Sequence, residues 1–176
     1  EWKDQEYRIK RISVIFSTSR LVRAETGRLV CTEYGGLKEL LEGFDKDQVK
    51  GISFGGQMHG LVALDKEDQV IRPAILWNDG RTAKQTDYLN QVIGKEKLSE
   101  YTANIAFAGF TAPKILWVKE NEPDNFAKID KIMLPKDYIA YRLTGVHCTD
   151  VSDASGMLLF DVKNSCLLYT SPSPRD

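Results

Sequence analysis

Three apolar runs of strand length follow one another between residues 49 and 77, and this succession limits the folds open to the chain. VKGISF ends at a glycine bend, and GLVALD and QVIRPAILW come after it, joined by the polar turn DKED. Short apolar runs bounded by turn residues are typical of strands, and a polar turn between two of them indicates a hairpin. Helical segments follow on the C-terminal side. The sequence therefore predicts an α/β fold with hairpins as well as crossover connections.

Helices are indicated by apolar residues at helical spacing, with cap and stop residues at their ends. Asn78 and Asp79 are suitable caps for a segment that Gly94 would close. Thr111 opens another helix, and Gly145 follows the last one at its C′ position. A short strand is expected at KIMLP. The predicted helices span residues 37–44, 81–94, 95–104, 111–121 and 136–145.

Composition excludes several classes of function. The 176 residues suffice for one domain with a core or for part of a larger protein. The net charge of −1 gives no reason to expect a nucleic-acid or membrane partner, and no apolar run reaches the ~18 residues of a membrane helix. Cys31, Cys148 and Cys166 lie far apart without CxxC spacing, which argues against a zinc site or a disulfide framework. A reducing, cytoplasmic location is expected.

The bend FGGQMHG (54–60) interrupts the apolar pattern with polar and sulfur-containing side chains. No GxxxxGK[ST] or GxGxxG motif is present, so neither a Walker nor a Rossmann phosphate loop is indicated. Gly55-Gly56 fits a sharp turn after a strand, or a place where a ligand approaches the backbone. His59 is either an ordinary structural histidine or a hydrogen-bond donor to a substrate hydroxyl, with Met58 as an apolar contact.

Two other polar clusters each allow two interpretations. Trp77, Asn78 and Asp79 fit a sugar site, in which the ring stacks on C–H groups and the polar atoms take hydroxyls. Alternatively the Trp is core, Asn78 or Asp79 caps a helix, and Arg81 is an ion-pair partner. Asp150 and Asp153 could act as a carboxylate pair, but Ser and Asp at this density are more often turn and cap residues.

Five segments in order resemble the FGGY carbohydrate kinases, and among them the xylulokinase branch. They are GQMHGLVALD, RPAILWNDGRT, GFTAPKILWVKENEP, LPKDYIAYRLTG and TDVSDASGMLLFDV. The resemblance covers residues 37–164 and implies a ribonuclease H-like (actin-like ATPase) fold. The chain would be part of the first of two such domains, with the active site in the cleft between them.

This resemblance implies transfer of the ATP γ-phosphoryl group to the 5-hydroxyl of D-xylulose, with Mg²⁺. Met-His after Gly-Gln is the xylulokinase form of a dipeptide that differs between substrates, so Met58 and His59 are expected to contact the ketose. Trp77 matches a position that lines the sugar pocket, with Asn78 and Asp79 as adjacent candidates. No catalytic, cofactor-binding or metal-binding residue is assigned, because the family's general-base Asp belongs to a later GGGDN-like segment.

The N-terminal segment departs from the family pattern. ISVIFSTSR has the strand and Thr18 but lacks the Asp and Gly of the family's phosphate-binding turn, so residues 1–36 are interpreted as a degenerate remnant of that hairpin. Residues 165–176, rich in Ser and Pro, are expected to be disordered or non-native.

Three functional readings follow from this organisation. The leading one is a xylulokinase whose C-terminal domain is a required partner, so that this chain alone is inactive. The alternatives are a non-catalytic sugar-binding or interaction remnant, and a kinase for ribulose or another ketose.

Overall fold

The computed structural model describes residues 13–15, 23–24, 35–39, 41–43 and 45–168. The phosphate-turn segment around Thr18 and most of the C-terminal tail lie outside these residues. Within the described ranges no helix is long and apolar enough to span a bilayer.

The strands are short and pair in twos. Strand β1 (Ser13–Ile15) runs parallel to β3 (Ser53–Gly55), whereas the other three pairs are antiparallel. These are β2 (Arg23–Ala24) with β5 (Ala74–Ile75), β4 (Val62–Leu64) with β6 (Lys131–Met133), and β7 (Phe160–Asp161) with β8 (Cys166–Leu167). The strand predicted at KIMLP is confirmed. The predicted hairpin is also present, because bridges join Leu61 to Ile75 and Leu64 to Val70.

The helical segments follow the predicted order with different ends. They are α1 (35–39), a 3₁₀ turn (Lys46–Gln48), α2 (Ala83–Tyr88), a π segment (Leu89–Gly94), α3 (Lys95–Thr102), α4 (Thr111–Asn121), α5 (Pro123–Phe126), α6 (Pro135–Thr144), α7 (Val151–Ala154) and a 3₁₀ turn (Ser155–Met157).

Two helix ends test the stop signals read from the sequence. Gly145 ends α6 as predicted, with φ of 73° and its N–H donating to the Tyr141 carbonyl. Gly94 also ends its helical segment as predicted, because the π segment stops there and the non-helical Gly94, with φ of 96°, separates it from α3, which begins at Lys95. The glycine stop signal was therefore correct at both positions.

Strand β4 lies in the core and is buried on both faces. Val62 and Leu64 pack with Met133 and with Tyr138 of α6, whereas Leu61 packs with Ile75 and with Val118 of α4. Because β4 and β5 are antiparallel, the start of β4 and the end of β5 lie at the same edge. This edge brings residues 57–60 together with residues 76–79.

Candidate functional site

The first turn of α4 and the loop before it complete this edge. Gly109 lies so close to the end of β5 that a Cβ at that position would be 2.7 Å from the Trp77 carbonyl oxygen. The structure therefore brings the predicted residues Met58, His59 and Trp77 to one edge and adds the loop that ends at Phe110. We call this arrangement the edge site, defined by residues 57–60, 76–79, 107–111 and Gly156.

His59 is held in an unusual backbone conformation. Its φ is 67°, and the Gly60 N–H donates to the Met58 carbonyl across it at 2.9 Å, which makes a γ-turn of the rare positive-φ form. Gly60 itself packs tightly, since a Cβ there would lie 2.5 Å from Pro135 Cγ. Such a conformation costs on the order of 1–3 kcal/mol and persists only where surrounding contacts hold it.

The His59 ring has one nitrogen engaged within the protein and one without a partner among the described residues. Nδ1 lies 2.8 Å from the Gly156 carbonyl, and the ring stacks on Phe110 at 4.3 Å between centroids. Burial and the nearby Lys114 charge lower the pKa of His59, partly offset by the Gly156 bond, so the ring is neutral at pH 7. A carbonyl only accepts, so Nδ1 carries the hydrogen and Nε2 accepts. One interpretation of the sequence made His59 a donor to a substrate hydroxyl, but its single ring N–H donates to the Gly156 carbonyl instead.

Gly156 makes this arrangement possible. A Cβ there would lie 2.4 Å from His59 Cε1 and 3.2 Å from Met58 Cε. The segment TDVSDASG, for which no substrate contact was predicted, therefore supplies a surface against which Met58 and His59 are seated.

Aromatic side chains form the exposed part of the edge site. Trp77 is 51% exposed at the end of β5, and Phe107 is equally exposed. Phe107 meets Phe110 edge to face at 5.3 Å, and Phe110 carries the His59 ring. An exposed aromatic surface beside a hydrogen-bond acceptor suits the C–H face and hydroxyls of a sugar. Phe107 and Phe110 were not predicted, since loop residues give no periodic signal.

Lys114 lies beneath the edge site and is completely buried. Its Nζ donates to the carbonyls of His59 at 2.9 Å and Phe110 at 3.2 Å, and also to that of Gly109. Burial lowers the pKa of Lys114 to about 7. The sequence did carry a signal for this residue, because a lysine in the first turn of a helix is disfavoured by the helix dipole.

Asn78 and Asp79 differ in exposure. Asn78 is exposed, whereas Asp79 is buried and both its oxygens receive hydrogen bonds from Arg81, at 2.9 and 2.6 Å. These bonds lower the pKa of Asp79 although burial opposes them. The Arg81 guanidinium also lies 4.7 Å from the centre of the Trp117 ring. Neither residue caps α2, whose N-cap Thr82 makes no side-chain capping bond, so Asp79 takes the ion-pair arrangement weighed from the sequence.

Asp150 and Asp153 act in structure as a cap and an ion-pair group. Asp150 accepts from the Asp153 N–H at the start of α7, and Lys136 lies 2.5 Å from Asp150 and 3.3 Å from Asp153. Lys136 also binds Asp137 at 2.6 Å. Although burial acts against its charge, the bonds to Asp137 and Asp150 raise the pKa of Lys136. Lys136 thus pairs with all three carboxylates and offsets part of their negative charge.

Other features of the described residues lie apart from this edge. No group of three or more His, Cys, Asp or Glu side chains within the described ranges is arranged to hold a metal ion. A cavity of about 550 Å³ lies between β6, the segment 147–149 and β8, and mostly apolar residues line it. None of the predicted substrate contacts lines that cavity.

Comparison with known proteins places this geometry in a family. Residues 24–166 match the N-terminal domain of the FGGY family of carbohydrate kinases. The chain is 48% identical over 128 residues to the xylulose kinase of Staphylococcus xylosus and 44% identical over 126 residues to that of Escherichia coli, covering 73% and 72% of this chain. It spans 26% of the length of each relative.

The solved structures agree with the sequence matches. The xylulose kinase of Bifidobacterium adolescentis superimposes with a TM-score of 0.74 at 29% identity, over 83% of this chain and 34% of that one. The structural neighbours are FGGY sugar kinases, which have the ribonuclease H-like, actin-like ATPase fold, so the predicted fold class is confirmed. The chain belongs to the FGGY family of carbohydrate kinases and represents part of its N-terminal domain.

Proposed function

We propose that this chain is the ketose-binding part of an ATP-dependent kinase that converts D-xylulose to D-xylulose 5-phosphate. The observation that carries the proposal is the His59 ring, neutral and seated on Phe110 and Gly156, with Nε2 as an acceptor beside exposed aromatic side chains. The xylulose kinases among the relatives, at 44–53% identity, support the choice of sugar.

In this proposal Met58, His59 and Trp77 bind the sugar directly. Trp77 covers a C–H face of the ketose, Met58 gives an apolar contact, and a sugar hydroxyl donates to Nε2 of His59. Asn78, exposed at the same edge, takes a further hydroxyl. Asp79 contributes through its ion pair with Arg81, which fixes the turn that carries Asn78.

ATP is the expected phosphoryl donor because the family consists of carbohydrate kinases, and Mg²⁺ would neutralise the phosphate charge when bound. We assign no Mg²⁺ ligand to this chain, because the described residues bring no suitable carboxylate group together. The remaining length of the relatives would supply the general base and most nucleotide contacts, so the 176-residue chain alone is predicted not to phosphorylate xylulose. We also propose a cytoplasmic location, in keeping with the exposed, unpaired Cys148 and Cys166.

The test is a substrate panel on the intact gene product that contains residues 37–164. Initial rates with ATP are measured for D-xylulose, D-ribulose and glycerol, and kcat/KM values are compared. The proposal predicts the highest kcat/KM for D-xylulose. A higher value for D-ribulose would move the assignment to another ketose, and phosphorylation of glycerol with no reaction on D-xylulose would refute it.

A further inference from the structure

The strained turn at His59 needs contacts that hold it, and two side chains of α4 supply them. The His59 carbonyl receives hydrogen bonds from Lys114 Nζ at 2.9 Å and from Thr111 Oγ1 at 3.2 Å. Both donors lie in the first turn of α4 and both are buried. A positive φ at a non-glycine residue persists only under such external constraint.

The same ammonium group also binds the opposite side of the edge site. Lys114 Nζ donates to the carbonyls of Gly109 and Phe110, and Phe110 carries the His59 ring. One buried cation thus joins the backbone of the His59 turn to the backbone of the aromatic loop. Its three acceptors are all carbonyl oxygens, which hold no compensating charge.

Burial of a cation against carbonyls alone is unfavourable for stability, so a structural role does not account for it well. Desolvation of an ammonium costs several kcal/mol, and an apolar side chain of similar length would avoid this cost. The nearest carboxylate that acts on it, Asp79, is engaged by Arg81. A buried charge kept at such a cost is expected where geometry matters for function.

We propose that Lys114 is a positioning residue for the ketose site, which fixes the His59 turn and the Phe110 loop in the arrangement that the sugar requires. This inference rests on the proposed function and extends it to a residue that does not touch the sugar. Lys114 acts through His59, because it holds the carbonyl of that residue while the ring meets the ligand.

The kinetic test uses Lys114→Met in the intact protein, which keeps the length of the side chain and removes its donors. The variant loses the hydrogen bonds from Lys114 Nζ that hold the His59 turn and the Phe110 loop. Because the ketose then meets a site that is no longer held in position, KM for D-xylulose is expected to rise about ten- to a hundredfold. We expect kcat to change less than about threefold, because ground-state positioning is affected. Lys119→Met is the matched control, since Lys119 lies on the same helix and is exposed; it should leave KM unchanged.

A double-mutant cycle separates positioning from general damage. If Lys114 acts through His59, then adding Lys114→Met to His59→Ala raises KM little further, whereas independent effects would multiply. Should Lys114→Met not fold, Thr111→Val removes the second donor to the same carbonyl and should raise KM in the same direction by a smaller factor. Multiplicative effects in the cycle, or an unchanged KM in both single variants, would overturn the proposal.

A spectroscopic readout keeps this inference separate from the choice of substrate. The chain contains two histidines, His59 and His147, so the imidazole ¹⁵N resonances of the 176-residue chain can be assigned with one variant. Lys114→Met should shift the resonances of His59 and leave those of His147, which lies against Asp68, in place. Wild-type protein without activity on D-xylulose would refute the substrate alone, whereas an unshifted His59 would refute the role of Lys114.

Discussion

Gly156→Ala perturbs the edge site without altering any group that would touch the sugar. The added methyl group would lie 2.4 Å from His59 Cε1 and 2.8 Å from Nδ1, whereas carbon atoms in contact ordinarily lie about 3.5 Å apart or more. The ring must therefore move by about 1 Å. Gly156 has no positive φ, so its backbone accepts alanine without strain.

The expected magnitude follows from the contacts that this displacement removes. The bond from Nδ1 to the Gly156 carbonyl contributes about 0.5–1.5 kcal/mol, and the stack on Phe110 a similar amount. Together they correspond to roughly 1–3 kcal/mol, or about 5- to 150-fold in affinity. We expect KM for D-xylulose to rise by a factor in this range, with a smaller change in kcat.

The assay is steady-state kinetics of the intact protein, with thermal unfolding as a check on folding. Gly51→Ala is the matched control, because a Cβ at Gly51 meets no described atom within 4 Å and its φ is not positive. If Gly156→Ala folds normally and leaves KM within twofold of wild type, then His59 does not depend on the Gly156 surface, and the description of the edge site is wrong.

Two further predictions concern buried charge. Arg81→Met should leave the Asp79 carboxylate buried without its partner and lower the free energy of unfolding, measured by denaturant titration, by about 2–4 kcal/mol. The control is Lys84→Met, which removes an exposed ion pair with Glu120 and should change the free energy of unfolding by less than about 0.5 kcal/mol. Equal losses in the two variants would contradict the prediction. The charge on Lys114, which faces Asp79 with its partner Arg81 and the His59 ring, should make stability pH-dependent. The pKa of Lys114 is about 7 in the folded protein and 10.5 ordinarily, so between these pH values the unfolded chain binds more protons than the folded one. Below pH 7 the amine is charged in both states, and the folded protein bears the full free-energy cost of burying that charge. The free energy of unfolding of the wild type, minus that of Lys114→Met, should then rise between pH 7 and pH 10.5 by up to about 1.4 kcal/mol per pH unit. A difference that does not change with pH would contradict the burial of a charged amine.

Local sequence signals predicted elements well where neighbouring residues decide the structure. The DKED hairpin, the start of α4 at Thr111 and the end of α6 at Gly145 all depend on contacts within a few residues, and all are present. Gly94 also ends a helical segment as predicted, although the π form of the last turn before it was not predicted from the sequence.

The edge site could be predicted only in part, because it is assembled from distant segments. The resemblance singled out Met58, His59 and Trp77, and the structure brings them to one edge. The Gly156 carbonyl sets the tautomer of His59 and Phe110 supports its ring, and both residues lie far along the chain. The partners of Lys114 and Asp153 could not be predicted from the sequence, since tertiary packing brings them together.

His59 is proposed to bind the ketose, and the two histidines of the chain allow a direct test of that role. KM for D-xylulose is measured in the intact protein for His59→Ala and His147→Ala. Loss of a hydrogen bond and of a ring contact should raise KM about tenfold or more in His59→Ala. His147→Ala, whose side chain contacts Asp68 and Tyr141 away from the edge site, should retain the wild-type KM. An unchanged KM in a folded His59→Ala protein would return His59 to a structural role and contradict the proposed site.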